Sequence, residues 1–236
     1  AVAAAQGLPL AGRAAETQGG EALYDLPGPR GNVTLLHFTD CHAQLLPIYF
    51  REPDVNIGIA GALGKPPHLV GEALLKHFRI APKTRLAYAY TYLDFSAAAR
   101  RYGAVGGFAH LATLVKRLRA QRPGALLLDG GDTWQGSATS LWTDAQDMVD
   151  AAKALGVDVM TGHWEFTYGM ERVKQIVDGD FKGRAAPGGA SQRVAFVAQN
   201  VRTADFGDPV FEPYVLREIN GIPVAIIGQA FPYTPI

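Results

Sequence analysis

Four side chains of the metal-binding type occur in three short stretches of the sequence. Asp40 and His42 are two residues apart, Asp132 follows a pair of glycines, and His163 lies in a third stretch. Carboxylate oxygens and imidazole nitrogens are ligands for divalent metals such as Mn, Zn, Fe and Co. A carboxylate placed between two groups of ligands can be shared by two cations about 3.5–4 Å apart that activate water. The pattern therefore predicts a dinuclear hydrolytic centre with Asp132 as the candidate bridge.

Each of these stretches directly follows an apolar run that is typical of a buried strand. The runs are Val33–Phe38, Ala125–Leu128 and Val157–Met160. Amphipathic patterns that predict helices lie between them, from Gly107 to Pro123 and from Asp147 to Gly156. Strands that alternate with helices form a parallel sheet whose carboxyl ends share one edge, where ligands bind. We therefore expect the three stretches to meet.

Taken singly, each motif has a simpler interpretation. The stretch Asp129–Gly136 is also compatible with an ordinary Asp-Gly turn, and Thr39–His42 with a surface loop. Cys41, between two candidate ligands, is interpreted as a space-filling residue. It is not interpreted as a nucleophile, because a metal-activated water would serve as the nucleophile. The remaining histidines have no partner at ligand spacing and are interpreted as structural or solvent-facing: His37, His68, His77 and His110.

The segment from Leu45 to Ala104 is too long for a simple connection, and such segments usually cover a face or line a site. The sequence predicts a helix over Gly71–Arg79 and another over Asp94–Arg101. Tyr88, Tyr90 and Tyr92 alternate with small residues, which predicts a strand. Other predicted elements are a loop over Gly58–Gly64, a helix from Met170, a loop over Lys182–Gln192, a strand over Val194–Ala198, and a hairpin over Tyr214–Ile219 and Val224–Gly228 with an Asn-Gly turn.

The composition excludes several classes of function. With 22 Lys and Arg against 22 Asp and Glu, the chain has no net charge, and nothing indicates nucleic acid or an anionic membrane surface. No apolar run approaches transmembrane length, and the single cysteine excludes an internal disulfide framework. Residues 1–31 lack periodicity and an intact signal peptide, and are predicted to be a loosely ordered leader.

The order Asp-x-His, Gly-Gly-Asp, Gly-His-x-Glu resembles the 5'-nucleotidase branch of the calcineurin-like metallophosphoesterases. Asp129-x-x-Asp132-x-x-Gln135-Gly136 is also similar to that branch. The resemblance implies an α/β metallophosphoesterase-type αββα sandwich, of which residues 32–236 would form the N-terminal portion, with residues 45–104 as an insertion. It also identifies Asp129 as a residue that supports the ligands without binding the metal.

One stretch departs from the nucleotidase pattern. The branch has Gly-Asn-His-Glu-Phe-Asp, whereas this sequence has Gly162–Thr167, with His163 at the Asn position, Trp164 at the His position and Thr167 at the second acidic position. In this it is similar to the SoxB family of sulfur-oxidation hydrolases. Leu36–Asp40, Leu127–Trp134 and Tyr88–Phe95 carry the same resemblance, which runs from about Val33 to the end of the sequence.

The SoxB-type resemblance implies a periplasmic enzyme with two Mn(II) ions, for which Zn, Fe or Co are alternatives. It implies release of sulfate from a cysteine S-thiosulfonate on the SoxY subunit of the SoxYZ carrier. Asp40 and His42 would bind one metal, Asp132 would bridge, and His163 would bind the second. Asp132 and His163 would act in catalysis through metal-bound water.

The same resemblance suggests roles for three neighbours of the ligands. Trp164 and Gln135 would contact substrate, and a dry aromatic wall costs less beside a sulfonate than beside a phosphate dianion. Packing of the loop is the alternative for Trp164. Glu165 would orient His163 without binding the metal, or would cap the helix that follows.

No histidine occurs after His163, whereas the family patterns place further ligands in their later half. We therefore expect the chain to be an N-terminal piece that works with a remaining C-terminal half and is inactive alone. Two alternatives stay open at this point. One is a divergent 5'-nucleotidase or phosphoesterase, and the other is a non-catalytic module that docks the carrier.

Overall fold

The computed structural model describes residues 28, 31–49, 58–93, 99–101, 103–183 and 193–232. The predicted leader over residues 1–31 lies outside the described residues apart from Gly28 and Gly31. The loop over 182–192 lies outside them after Gly183, and the helix over 94–101 before Ala99.

The chain alternates strands with helices over most of its length. The strands are β1 (Leu35–Phe38), β2 (Ile48–Tyr49), β3 (Ala104–Val105), β4 (Leu126–Asp129), β5 (Val159–Met160), β6 (Ala195–Phe196), β7 (Tyr214–Ile219) and β8 (Ile222–Ile227). The helices are α1 (Gly71–Phe78), α2 (Arg85–Tyr90), α3 (Phe108–Gln121), α4 (Ala138–Trp142), α5 (Gln146–Leu155) and α6 (Met170–Gln175). Short 3-10 turns cover Ala60–Ala62 and Trp164–Tyr168, and a π-helical turn over Ile176–Asp180 continues α6.

The central sheet is parallel, with the strand order β1-β4-β5-β6. In its register Phe38 is opposite Asp129, and Asp129 is opposite Met160. The three strands therefore end side by side, and the loops that follow them emerge along one edge. This register is what brings the three predicted ligand stretches together.

Helices α3 and α5 cover one face of this sheet with apolar side chains. Phe108 of α3 meets Phe38 of β1 edge to face, with ring centroids 6.2 Å apart. The buried core includes Val115, Leu127, Met148, Val149, Ala152, Leu155, Met160 and Phe196. Each Val, Leu, Met or Phe side chain among them contributes about 1.5–3 kcal/mol on burial. Arg119 of α3 pairs with Asp158 at 2.8 Å, which fixes the helix to the start of β5.

The predicted strand at Tyr88, Tyr90 and Tyr92 is wrong, because Arg85–Tyr90 forms helix α2. Thr84 provides the N-terminal cap by accepting a hydrogen bond from the N–H of Ala87 at 3.2 Å. Leu86, Ala87 and Ala89 favour a helix, and a spacing of two over three aromatic residues was too short to decide. The antiparallel pair β2–β3 at the ends of this segment was not predicted.

The predicted hairpin is confirmed as β7 and β8, paired from Tyr214–Ile227 to Ile219–Ile222. Asn220 and Gly221 both have positive φ, as the tight turn requires. After β8 the chain returns to the ligand edge, where the N–H of Phe231 donates to Gly162 at 3.1 Å. Among the described residues, the helices are too short or too polar to span a bilayer.

Candidate metal centre

Asp132 lies between two histidines that come from different strand ends. Its Oδ2 is 3.5 Å from Nε2 of His42 and 3.1 Å from Nδ1 of His163. Asp40 completes the first side, with Oδ1 4.0 Å from Nε2 of His42. The ligand atoms of Asp40, His42 and Asp132 all lie within 4.8 Å of one another. One carboxylate oxygen thus faces both groups of ligands, as a bridging ligand would.

The Nδ1 atom of His163 gives an independent sign that an ion fits here. It is buried and has no hydrogen-bond partner among the described residues, because its approach to Asp132 lacks hydrogen-bond geometry. A buried polar nitrogen without a partner is costly. A cation between Nδ1 and Oδ2 would satisfy both atoms, so the residues present suit a divalent metal.

The loops after β1 and β4 are joined by main-chain hydrogen bonds beyond the ends of the strands. The N–H groups of Asp40 and His42 donate to the carbonyls of Gly131 and Asp132, both at 2.9 Å. Asp40, His42 and Asp132 have positive φ values of 57°, 48° and 58°. Such backbone conformations cost of order 1–3 kcal/mol each and cluster at functional sites. Here they turn three candidate ligands toward one point.

Gly131 permits the close approach of the loop that carries His163. Its φ is +89°, and a Cβ at this position would lie 2.9 Å from Cβ of His163. A side chain would therefore push the two loops apart. The Gly-Gly pair before Asp132 is explained by this contact as well as by the turn.

Glu165 is buried, and its carboxylate contacts main-chain amides of both loops. It accepts hydrogen bonds from the N–H groups of His163 at 2.7 Å and of Thr133 at 2.7 Å. Its contact with His163 is thus to the backbone and not to the imidazole ring. Any orientation of His163 by Glu165 would therefore act through the main chain, and the two predicted roles of Glu165, orienting His163 or capping the helix that follows, stay predictions.

Asp129 is the last residue of β4 and lies behind the candidate ligands. Its Oδ1 accepts hydrogen bonds from Gly131 N at 2.9 Å and Thr133 Oγ1 at 2.8 Å, whereas its buried Oδ2 has no partner among the described residues. Burial, and then the nearby charge of Glu165, raise the pKa of Asp129 to about 7. Near neutral pH this carboxyl is therefore only partly ionised.

Gln135, which was predicted to contact substrate, contacts two of the candidate ligands. Its Nε2 is 3.3 Å from Nδ1 of His42 and donates a short hydrogen bond to Oδ1 of Asp132.

Trp164 begins the 3-10 turn after His163 and is half-buried. The hydroxyl of Thr167 donates to the carbonyl of Trp164 at 2.7 Å, which closes that turn.

The Cys41 thiol lies in surroundings that disfavour its ionised form. Burial, with Asp129 and Asp40 nearby, raises its pKa to about 12. A thiol in this state is a poor nucleophile at neutral pH. Its surroundings agree with the interpretation of Cys41 as a space-filling residue.

Phe231 is part of the site and was missed in the sequence. Its ring stacks on the imidazole of His163, with centroids 4.2 Å apart and planes 16° apart. It lies far from His163 in the sequence, and no motif marks it. In the sequence, only the apolar character of the stretch after the hairpin could have indicated that Phe231 packs against the site.

A groove of about 720 Å³ opens beside Asp40. It runs between the loop after β1 and helix α3. Its walls include Gln44, Gly107, Phe108, His110, Leu114 and Arg117. The side of the centre that carries Asp40 is therefore accessible from this groove.

Comparisons with known proteins find the same relatives that the sequence motifs indicate. No family model matches the sequence. The chain is 37% identical to the Thermus thermophilus sulfate thiohydrolase SoxB, with a TM-score of 0.61 over 89% of this chain and 37% of that one. It is 34% identical to the Bos taurus 5'-nucleotidase over 190 residues, which are 78% of this chain and 31% of the relative. It is 29% identical to the Bacillus subtilis endonuclease YhcR over 129 residues, 53% of this chain and 10% of the relative.

The predicted resemblance to SoxB and the 5'-nucleotidase branch is confirmed by these matches. The predicted fold class is confirmed as well: the chain is α/β with a parallel sheet, and it corresponds to an N-terminal portion of the metallophosphoesterase-type fold. The chain spans about a third of the length of SoxB and of the bovine nucleotidase, and a tenth of the endonuclease.

Proposed function

We propose that this protein is a dinuclear-metal hydrolase of the SoxB type. It releases sulfate from a cysteine S-thiosulfonate on the SoxY subunit of the SoxYZ carrier, in the periplasm, with two Mn(II) ions. The main support for a metal centre is the position of Oδ2 of Asp132 between His42 and His163. The buried Nδ1 of His163, which has no hydrogen-bond partner among the described residues, adds to it. The identity of 37% with SoxB supports the choice of substrate.

The four candidate ligands would hold the metal pair, with Asp132 shared between the two ions. When bound, such a pair lowers the pKa of water and polarises substrate oxygens. In the reaction, the water oxygen would bond to the sulfonate sulfur while the bond from that sulfur to the sulfur attached to the cysteine breaks. The electron pair of the broken bond and one water proton stay on the attached sulfur, which remains on the carrier as a cysteine persulfide. Sulfate leaves, and the second water proton passes to solvent.

Side chains beside the ligands would orient them and select the substrate. Gln135 contacts both His42 and Asp132, so it limits the rotation of both. Trp164 occupies the position where the nucleotidase pattern has a histidine. An indole cannot donate a proton to a phosphate ester, but it provides an apolar wall that a singly charged sulfonate tolerates.

The test compares sulfate release from the SoxYZ thiosulfonate conjugate with phosphate release from AMP, using the full-length gene product loaded with Mn(II). We expect sulfate release to dominate in kcat/KM and to vanish in Asp132→Asn. Ion chromatography quantifies both products. Stoichiometric binding of the carrier without sulfate would instead indicate a docking module.

A 5'-nucleotidase is the second candidate, because the bovine 5'-nucleotidase is 34% identical over most of the chain. AMP turnover at least equal to that of the sulfur substrate would establish it and overturn the first proposal. The replacement of the His and Asp positions by Trp164 and Thr167 favours the sulfur substrate.

A further inference from the structure

The side chain of Glu165 has no exposed surface. Both of its carboxylate oxygens accept hydrogen bonds from main-chain N–H groups. Its Oε1 accepts hydrogen bonds from the N–H groups of Thr133 at 2.7 Å and Trp134 at 3.3 Å. Its Oε2 accepts from Asp132 at 3.1 Å and His163 at 2.7 Å. The ion pairs formed by the described residues do not include Glu165. Four amides therefore balance its charge.

The three consecutive amides from Asp132 to Trp134 converge on one point. This follows from the positive φ of Gly131 (+89°) and Asp132 (+58°), which curl the backbone so that successive N–H groups face inward. Concavities of this kind bind anions. In this protein the anion is internal, because a side chain from the loop after β5 fills the concavity made by the loop after β4.

Glu165 also links the loops after β4 and β5, beyond the point where the two strands are hydrogen-bonded to each other. The N–H of Thr161 donates to the carbonyl of Asp129 at 3.1 Å, beside the ends of β4 and β5. Beyond that bond, Oε2 of Glu165 is an acceptor that the amides of Asp132 and His163 share. These two residues are the predicted bridging ligand and the predicted ligand of the second metal.

We propose that Glu165 is a positioning residue that sets the separation of Asp132 and His163, and so determines whether the second metal is retained. This inference rests on the dinuclear centre of the proposed function. A buried charge costs several kcal/mol unless hydrogen bonds offset it, so the carboxylate stays in place only while both loops donate to it. The two ligands are thereby held at a fixed distance before any ion binds.

The substitution Glu165→Gln tests this with little change in volume. It replaces one oxygen with an NH₂ group, which would face two N–H donors, so one pair of amides loses its acceptor. We expect the affinity of the weaker manganese site to fall about 10–100-fold, the usual effect of losing a residue that orients a ligand. The Mn content should fall from two ions toward one. Glu165→Asp keeps both oxygens on a shorter side chain, and we expect an intermediate loss.

Asp158→Asn is the matched control. Asp158 also accepts a main-chain hydrogen bond, from the N–H of Leu127 at 2.8 Å, and it pairs with Arg119. These contacts lie at the ends of β4 and β5 that are opposite to the candidate ligands. We expect this change to lower Tm in chelator without altering Mn stoichiometry or affinity. A purely structural role for Glu165 would give the same result as this control.

The measurements are Mn(II) titration by calorimetry, EPR detection of a coupled Mn pair, and the Mn-induced rise in Tm, all on the full-length gene product. A wild-type protein that binds fewer than two ions would refute the dinuclear centre itself. A wild type with two ions and a Glu165→Gln variant of equal affinity would overturn only the role of Glu165. If Glu165→Gln does not fold, Glu165→Asp decides: a lower Tm with unchanged Mn affinity would refute the proposal.

Discussion

The two halves of the candidate centre differ in how deeply the protein buries them. The side chains of Asp40 and His42 are 50% and 54% exposed, whereas those of Asp132 and His163 are 4% and 22% exposed. The first pair follows β1, which is at the edge of the sheet, and the second pair follows β4 and β5 in its interior. The strand order therefore accounts for the difference.

The buried half is organised by groups outside the set of candidate ligands. Glu165 contacts the main chain of both buried candidate ligands, Phe231 stacks on His163, and Asp129 holds the turn between β4 and Asp132. In the exposed half, the side chain of Asp40 accepts a hydrogen bond from Thr39 at 2.5 Å. We infer that the interior half is formed before the ion arrives, whereas the edge half leaves room for substrate. Changes in the buried half should therefore affect stability and metal binding together.

Removing the shared carboxylate should have the largest effect, because Asp132 belongs to the buried half but also faces His42 of the exposed half. We expect Asp132→Asn to lose Mn affinity at both sites by more than the roughly 100-fold upper range for residues that only orient ligands. Elemental analysis after gel filtration measures the Mn content. Asp40→Asn, which changes only the exposed half, should retain one ion. Two ions in purified Asp132→Asn would refute the bridging role.

Gly131→Ala should separate the two buried loops. A left-handed conformation costs an alanine about 1–2 kcal/mol, and contact of the new Cβ with His163, 2.9 Å away, should add about 1–3 kcal/mol of overpacking. The free energy of unfolding in urea measures the sum. Gly207→Ala is the control, because Gly207 also has a positive φ, of +70°, but no heavy atom within 4 Å of the place that the new methyl group would occupy. Equal losses in the two variants would show that the loops are not in close contact.

The sequence predicted the parts of the centre that depend on strand order. Alternating strands and helices implied a parallel sheet, and its register brings Asp40, Asp132 and His163 to one edge. The Asn-Gly turn of the hairpin was also local enough to recognise. In these cases the information lies within a few residues of the element.

What the sequence did not predict depends on contacts between distant segments. Phe231 reaches His163 only because the hairpin returns the chain to the edge of the sheet. The four amides on Glu165 converge because of backbone angles in another loop, which a motif does not encode. Helix α2 was mistaken for a strand because the prediction relied on the spacing of three aromatic residues and did not consider Thr84, which caps the helix.

The buried half should make the free energy of unfolding depend on pH, through the carboxyl group of Asp129. The pKa of Asp129 rises from its ordinary value of 3.8 to about 7 in the folded protein, mainly through burial. The folded state therefore binds this proton more tightly than the unfolded state, and stability falls as pH rises from about 4 to about 7. Asp129→Asn has no charge to bury, so its unfolding free energy in chelator should lack that decline. Parallel pH profiles for the two proteins, from urea unfolding, would contradict the shift.

Phe231→Leu should give the smallest effect, because it removes a ring contact and keeps the apolar volume. An aromatic pair contributes about 0.5–1.5 kcal/mol beyond its burial, which corresponds to a loss of roughly two- to tenfold in the affinity of the site that holds His163. Calorimetric Mn titration resolves a change of this size. Phe206→Leu is the control, because Phe206 is largely exposed. If both variants bind Mn as the wild type does, His163 is held by its backbone and by Glu165 alone, and the stack contributes nothing to the order of the buried half.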